Sequence, residues 1–347
     1  MPEPPVPPSP GPTLPPRSTL VGTETVPLPL AFGTPPADPG AIVDGIAAWI
    51  GSAPLRLLVE RFGGRWPTGD LAALLAGLDD FSAAHWDFRG GRERPDAREP
   101  TLDPSTARLV WDVATALGLV RSAPPALPRY AHLLVLGGLA HACLRRVAYA
   151  AHLLRHGVGV AGEVAVLGSF RPLSEAERSI LADADVVGAD TEVDALDAAV
   201  RLAFGVTRPA EEDGVDAGHP HHSWSSRTYH PAGAPPVRVL AAPSSEPQRR
   251  RAHTADTQRF WAGHARLSPG DQLLLVTHPN YVPFQHCDAL RTLAVPYGAG
   301  IDTVGVDPAL PDPARLPEPT LTPGRYLQEI RSAIRSMRSL HRTLRTR

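Results

Sequence analysis

The sequence predicts an α/β protein with a doubly wound, mostly parallel sheet of about five strands, a helical N-terminal extension and a C-terminal helix. Apolar residues first recur at helical spacing between residues 41 and 119. Short continuous apolar runs then alternate with helical stretches between residues 130 and 306. Continuous runs are typical of strands that helices cover on both faces, and the alternation favours parallel neighbours.

Residues 1–40, which precede these elements, contain 14 prolines. Proline lacks a backbone donor and fixes φ, so this density prevents a helix or strand from continuing. We therefore expect a disordered, proline-rich tail.

A helical extension is predicted for residues 41–125. The apolar face of its first helix consists of Ile42, Ile46, Trp49 and Ile50. A second helix follows Asp70, an acid suited to a first turn, and Asp103 with Pro104 marks the start of a third.

A Rossmann-like α/β domain is predicted for residues 126–310. Its strands are expected at 132–136, 164–168, 237–241, 272–277 and 301–306. Ser174 and Glu177 have the spacing of a capping box at the start of one intervening helix. The polar residues 208–236 break the alternation and predict a long, lid-like insertion, and residues 320–347 predict a basic amphipathic helix.

Composition excludes several kinds of chemistry. The 347 residues include 34 arginines and no lysine, with a net charge of −2. Without lysine there is no Schiff-base or pyridoxal-phosphate enzyme and no phosphate-loop nucleotide site of the usual kind. Arginine forks, backbone amides or helix N-termini must hold any bound anion. The near-neutral charge gives no reason to expect a specific nucleic acid partner.

The location is predicted from cysteine content and hydropathy. Two cysteines, Cys143 and Cys287, cannot build a disulfide framework, which favours a reducing cytoplasm. We expect no membrane span, because no apolar stretch has the necessary length. The sequence does not indicate an oligomeric state.

The functional site is expected where polar segments follow the strands, because ligands of open parallel sheets bind beyond the carboxyl ends of the strands. His278 is the predicted general acid or base, with Tyr281 as the second catalytic candidate, since a histidine pKa can lie near neutrality. The predicted ligand-binding residues are Gly137, Gly138, Arg145, Ser169, Arg171, Glu175, Thr257, Thr277, Asn280, Gln285 and Arg89.

Most of these residues have a structural alternative. Gly137 and Gly138 suit a tight strand-to-helix turn as well as a ligand. Ser169 and Arg171 precede a helix that Ser174 can cap unaided, and Thr257 lies in a first turn where capping residues are common. Within residues 85–94, Arg89 either clamps a ligand or joins an interdomain salt-bridge network around a buried Trp86.

Other reactive groups give weaker patterns. The spacing of His219, His221 and His222 matches no established ligand pattern, and no metal site is predicted. The sequence has no GxSxG or HExxH motif, which argues against a standard hydrolase or zinc protease.

Residues 133–306 resemble the SanA/YdcF-like family of α/β proteins. The resemblance depends on VLGG at 135–138, the segment Ser174-Glu175-Ala176, the helix opening at Thr254, and LLLVT at 273–277. It implies S-adenosylmethionine or an adenosine nucleotide as a candidate ligand. Members often have a histidine and then an arginine after the last of these strands, where this chain has Tyr281 and Gln285.

Together these patterns predict a cytosolic enzyme that binds a small anionic or nucleotide-like ligand at the carboxyl edge of the sheet. A transferase or another small-molecule-modifying enzyme of specialised metabolism is the favoured class. The alternative is a non-catalytic ligand-binding or protein-interaction module that uses the proline-rich tail and the basic helix.

Overall fold

A computed structural model describes residues 25–29, 38–88, 99, 101–121, 123–307 and 321–346. Most of the tail predicted for residues 1–40 lies outside the described residues. The short segment 25–29 contacts the body of the protein. The Val26 amide donates to the Ala116 carbonyl at 2.8 Å, and buried His286 lies 2.8 Å from the Pro29 carbonyl oxygen.

The extension contains four helices, α1 (Pro39–Ile50), α2 (Ala53–Arg61), α3 (Leu71–Trp86) and α4 (Pro104–Ala116). Aspartates cap three of them: Asp38, Asp70 and Asp103 each accept a hydrogen bond from a first-turn amide. Trp86 at the end of α3 is fully buried, with aromatic edges packed against it from Phe62 and Phe81. The extension therefore has an apolar core that is continuous with one face of the sheet.

Nine strands follow along the described chain. They are β1 (Arg129–Tyr130), β2 (His132–Leu136), β3 (Gly159–Val160), β4 (Val164–Gly168), β5 (Glu211–Val215), β6 (Trp224–Tyr229), β7 (Val237–Ala241), β8 (Gln272–Thr277) and β9 (Gly300–Gly305). Seven form one sheet in the order β5-β6-β7-β4-β2-β8-β9, and β1 pairs with β3. Five adjacent strands are parallel to one another, namely β7, β4, β2, β8 and β9. The predicted α/β class is confirmed.

The sheet has seven strands rather than about five, because the segment predicted as a lid-like insertion supplies β5 and β6. Both run antiparallel to their neighbours at one edge. Every residue of β5 is exposed, and β6 is buried only at Tyr229. Edge strands facing solvent carry polar and charged side chains, so the apolar runs that identified the other strands are missing here.

Helices cover both faces of the sheet. They are α5 (Ala140–Arg155), α6 (Glu175–Asp183), α7 (Glu192–Phe204), α8 (Thr254–His264), α9 (Val282–Ala289), α10 (Val295–Tyr297) and α11 (Pro323–Arg345). A 3-10 turn, Pro279–Tyr281, precedes α9, and a π-helical turn, Leu290–Ala294, follows it. Alternate residues of β2 separate the two cores, since Leu133 and Val135 face α5 and α7 whereas Leu134 and Leu136 face α11 and the extension.

Helix α11 packs its apolar face on the body of the protein, with Ile330, Ile334 and Met337 fully buried. Its arginines meet acids of the extension: Arg338 lies 2.6 Å from Asp79 and Arg331 lies 3.3 Å from Asp87. In the described part of the chain, no single helix is long and apolar enough to cross a membrane, although α1 and α2, bent by 42°, meet the length and composition together.

Candidate functional site

Strand order reverses between β2 and β8. From β2 the chain adds β4 and β7 on one side, and it then places β8 and β9 on the other. In open α/β sheets a crevice forms at this point, outside the carboxyl ends of the two strands. We call it the switch-point crevice and define it by the loop 137–139, the first turn of α5 and residues 277–281.

Arginines hold the loop 137–139 in place from two sides. Arg146, only 2 % exposed, donates from Nη1 to the Leu136 carbonyl at 2.6 Å and to the Gly137 carbonyl at 2.5 Å. From the β4 side, Arg171 Nη2 donates to the Gly138 carbonyl at 2.9 Å. These charge-assisted bonds give the loop one conformation.

A glycine is required at position 137 because two oxygen atoms approach its α-carbon closely. A Cβ at this position would lie 2.6 Å from Glu192 Oε1 and 2.7 Å from the Leu167 carbonyl oxygen, closer than real Cβ contacts. No other residue type therefore fits between β2 and the start of α7 without a shift of Glu192.

Residues after β8 form the opposite wall. His278 Nδ1 lies 2.6 Å from Asn280 Oδ1, and the His278 and Tyr281 rings are 6.0 Å apart. The guanidinium carbon of Arg146 lies 5.7 Å from the centre of the Tyr281 ring. The structure thus brings Gly137, Gly138, His278, Asn280 and Tyr281 together around Arg146. Thr277 donates its hydroxyl to the side-chain oxygen of Gln285, and both side chains are buried behind this wall.

Positive charge converges on the crevice. Burial, followed by the charges of Arg146 and Arg145, lowers the pKa of His141 to about 4; Arg325 of α11 adds to this effect and Glu177 opposes it. The pKa of His278 is also lowered to about 4, by burial and then by Arg146, with Arg145 and His141 contributing. Burial beside arginine thus places the pKa of His278 below the near-neutral value expected from the sequence.

Arg171 connects the loop 137–139 to Glu177, a structural role that the sequence did not indicate. Its guanidinium, 14 % exposed, forms a bidentate pair with Glu177 at 2.8 and 2.9 Å. Glu177 also accepts the Ala140 amide at 3.0 Å and completes the capping box with Ser174. Although burial opposes it, the bonds from Arg171 and the backbone lower the pKa of Glu177 to about 2. Glu175, the acid predicted for the site, is exposed on α6, and Glu177 is the acid that faces the loop.

A second acid, Glu192, lies on the β4 side of the loop. The Ser169 hydroxyl donates to Glu192 Oε2 at 2.7 Å, and both residues are buried. Burial raises the pKa of Glu192, whereas the charge of Arg171, hydrogen bonds from Ser169 and the charge of Arg251 act in the opposite direction. Sequence reasoning missed Glu192, since it resembles any acid in a helical first turn.

The remaining predicted residues have other surroundings. Thr257 donates to the Thr254 carbonyl at 2.9 Å, within its own helix. Arg145 is partly buried on α5 and acts on both histidines of the crevice. Arg89 and the rest of the predicted clamp, up to residue 94, lie outside the described residues.

Outside the crevice, the histidines at 219–222 and the two cysteines are the other candidates for reactive groups among the described residues. His221 Nδ1 lies 3.1 Å from the Pro247 carbonyl oxygen, and the His219 ring lies edge-on to the rings of His221 and His222. Across the described ranges, no group of three or more histidine, cysteine or acidic residues has the arrangement of a metal site. Both thiols are buried, and burial raises the pKa of Cys143 to about 12, away from a reactive thiolate.

Comparisons with known proteins match this chain over most of its length. The model of the Rv3785 N-terminal domain matches residues 33–118. Two similar relatives are the "Uncharacterized protein Rv3785" of Mycobacterium tuberculosis and the "Uncharacterized protein Mb3814" of Mycobacterium bovis. Each is 34 % identical over 337 residues, which cover 88 % of this chain and 91 % of the relative. No solved structure matches the chain.

These findings correct the expected resemblance to the SanA/YdcF-like family. The matching family model and the Mycobacterium tuberculosis relative carry the Rv3785 name, and none of the matches indicates the expected family. The strand, loop and cap patterns behind the expectation recur in many doubly wound proteins. The S-adenosylmethionine candidate followed from that resemblance and loses its support with it. The chain, with its extension and sheet domain alike, belongs to the Rv3785 family.

Proposed function

We propose that this protein is an enzyme that binds a small anionic metabolite in the switch-point crevice. The observation that supports this most is the convergence of Arg145, Arg146, His141 and His278 on the loop after β2. Besides burial, the charges of Arg146 and Arg145 lower the pKa of both histidines, which indicates a positive potential between these groups. An anion in the crevice would experience the same potential as an attraction.

The backbone of the crevice also suits an anion. The positive end of the α5 dipole faces the loop, and the N-cap Leu139 has no side-chain oxygen to occupy the first-turn amides. Glu177 takes the Ala140 amide, and Arg325 forms a 3.3 Å ion pair with Glu99. The proposed anion therefore lies towards Arg145, His141 and His278, away from these two acids.

His278 supplies the proposed acid–base group. Neutral at about pH 7 in the free protein, it can accept a proton once a bound anion offsets the charge of Arg146, because its pKa then rises. A transferase or another enzyme that modifies a small anion fits this arrangement. The cytoplasmic location and the link to specialised metabolism stay predictions from the sequence.

Thermal unfolding in the presence of anions tests the proposal. We expect inorganic phosphate, pyrophosphate or AMP to raise the midpoint, since a ligand at about 100 times its Kd adds about 2.7 kcal/mol of stability. Arg145→Gln and His278→Gln should reduce the rise at least by half. Arg335→Gln, which removes an exposed arginine of α11, should leave the rise unchanged.

Two results would count against the proposal. One is that none of the three anions raises the midpoint above that in sodium chloride of equal ionic strength. The other is a rise that Arg145→Gln and Arg335→Gln reduce equally, which indicates non-specific binding to arginine. A bound anion without turnover would instead favour the non-catalytic binding module.

A further inference from the structure

Glu192 is a buried acid for which the proposed anion site has no use. It is the first residue of α7 and only 7 % exposed. Its carboxylate approaches Gly137 from the β4 side, and His278 directly follows β8 on the other side of β2. A ligand lying across Gly137 would therefore meet the cationic cluster at one end and Glu192 at the other.

The surroundings of Glu192 leave one carboxylate oxygen available. Oε2 accepts the Ser169 hydroxyl at 2.7 Å. No other side chain of the described residues donates to Oε1, and none of their arginine nitrogens lies within 4 Å of the carboxylate. Acids are almost never this buried without an ion pair or a full set of hydrogen bonds. The charges of Arg171 and Arg251 and the hydrogen bonds from Ser169 offset this burial only in part, since the pKa of Glu192 is raised.

Helix capping does not explain this acid. Thr191 and Asp194 form the capping box of α7 between them. The Glu192 and Val193 amides donate to the Arg171 and Ser169 carbonyls, so the first turn has its backbone partners without the Glu192 side chain.

We propose that Glu192 accepts a hydrogen bond from a hydroxyl group of the bound anion, so that the crevice selects hydroxylated anions. This inference rests on the proposed function, since it needs an anion in the crevice. Gly137 is essential to it, because any Cβ would push the Glu192 carboxylate out of reach of the ligand. The hydroxyl proton stays on the ligand, and Glu192 is a specificity-determining residue in this proposal.

Matched phosphate esters test the selectivity by isothermal titration calorimetry. Glycerol 3-phosphate and glucose 6-phosphate carry hydroxyls, whereas n-propyl phosphate has the same charge and none. We expect the wild-type protein to bind at least one hydroxylated ester about 10-fold more tightly than n-propyl phosphate, the usual gain from a hydrogen bond to a charged group. Glu192→Gln should lower that ratio to about 2 without weakening the binding of n-propyl phosphate, since the loss of a nearby negative charge does not disfavour an anion. Glu175→Gln, at an exposed acid nearby in sequence, should keep the wild-type ratio.

The outcomes separate the two proposals. If the three esters bind the wild-type protein equally, or if Glu192→Gln keeps the wild-type ratio, the selectivity proposal is overturned and anion binding stands. If none of the esters binds the wild-type protein, the proposed function fails for phosphate esters and this inference fails with it. The wild-type ratio decides the question by itself should the Glu192→Gln protein not fold.

Discussion

Two arginine-rich regions at the carboxyl edge of the sheet use their charge in different ways. Beyond β7, Arg249 and Arg250 pair with Glu246 at 3.0 and 3.3 Å, and Arg250 also pairs with Asp256 at 2.5 Å. In the switch-point crevice, Arg146 bonds to two backbone carbonyls and lowers the pKa of His278. In the first region the arginines pair with acids, whereas in the second Arg146 holds backbone carbonyls.

The difference can be traced to local sequence. Glu246 lies three and four residues before the arginines it meets, which is the spacing of neighbouring side chains on one turn. Helix α5, AHACLRRVAYAAHLLR, contains no acid at all. An arginine pair on an acid-free helix that follows a glycine turn is the sequence pattern behind the proposed anion site.

Replacing Arg146 should produce the largest difference in stability between the two regions. Arg146→Met leaves two buried carbonyls without their donor, and we expect the free energy of unfolding to fall by about 3 kcal/mol. Arg249→Gln removes an 81 % exposed side chain and should cost less than about 0.5 kcal/mol. Urea unfolding of both variants measures the difference. Equal losses would mean that Arg146 does not hold the loop.

The next largest difference in stability is expected between variants of Glu177 and Glu246, the acids that pair with arginines in the two regions. Glu177→Gln breaks the buried pair with Arg171, and we expect a loss of about 2 kcal/mol at neutral pH. Because the pKa of Glu177 is lowered to about 2, its contribution is fully present above about pH 4.5 and is lost as the pH falls towards 2. The wild-type and Glu177→Gln curves of unfolding free energy against pH should therefore converge in acid. Glu246→Gln, at a half-exposed pair, should lose little at any pH, and parallel curves for Glu177→Gln would contradict this account.

Local patterns predicted what lies within a few residues. The strands at 132–136, 164–168, 237–241 and 272–277 are found at those bounds, and the Ser174–Glu177 capping box forms as expected. The contacts that shape the crevice are distant in sequence: Glu177 meets Ala140, and Glu192 meets Gly137. Which acid of a first turn faces the site depends on helix orientation, and the local sequence therefore does not distinguish Glu177, which faces the loop, from the exposed Glu175.

Solvent exposure explains why the sequence did not predict strands β5 and β6. Strands β5 and β6 lie at an edge, where side chains face water and no apolar run is needed. The low pKa of His278 likewise depends on burial and on the charge of Arg146, which is far from it in sequence and adjacent only in the folded protein. Residue types at the site were thus predictable, whereas their protonation was not.

The smallest expected effect concerns the coupling of anion binding to protons. Sulfate suits the test because its own charge stays constant between about pH 5.5 and 7, so any pH dependence belongs to the protein. A bound sulfate offsets the charges of Arg145, Arg146 and Arg325, and the pKa of His141 and His278 should then rise from about 4. Groups that gain protons on binding make the affinity rise as the pH falls, here by a few-fold up to about tenfold for each histidine. Glu177, Asn280 and Tyr281 also face these histidines, but Glu177 stays charged throughout this range.

Calorimetric titration at both pH values, with the His141→Gln and His278→Gln double variant, measures this coupling. The double variant should bind sulfate with an affinity that no longer changes with pH, and His230→Gln, at an exposed histidine of the β6–β7 connection, should behave as the wild type. A wild-type affinity that is equal at both pH values would show that the bound anion does not reach the two histidines. In that case Arg146 would serve only to hold the loop 137–139, as Arg250 holds the segment after β7 through Ser244 and Asp256.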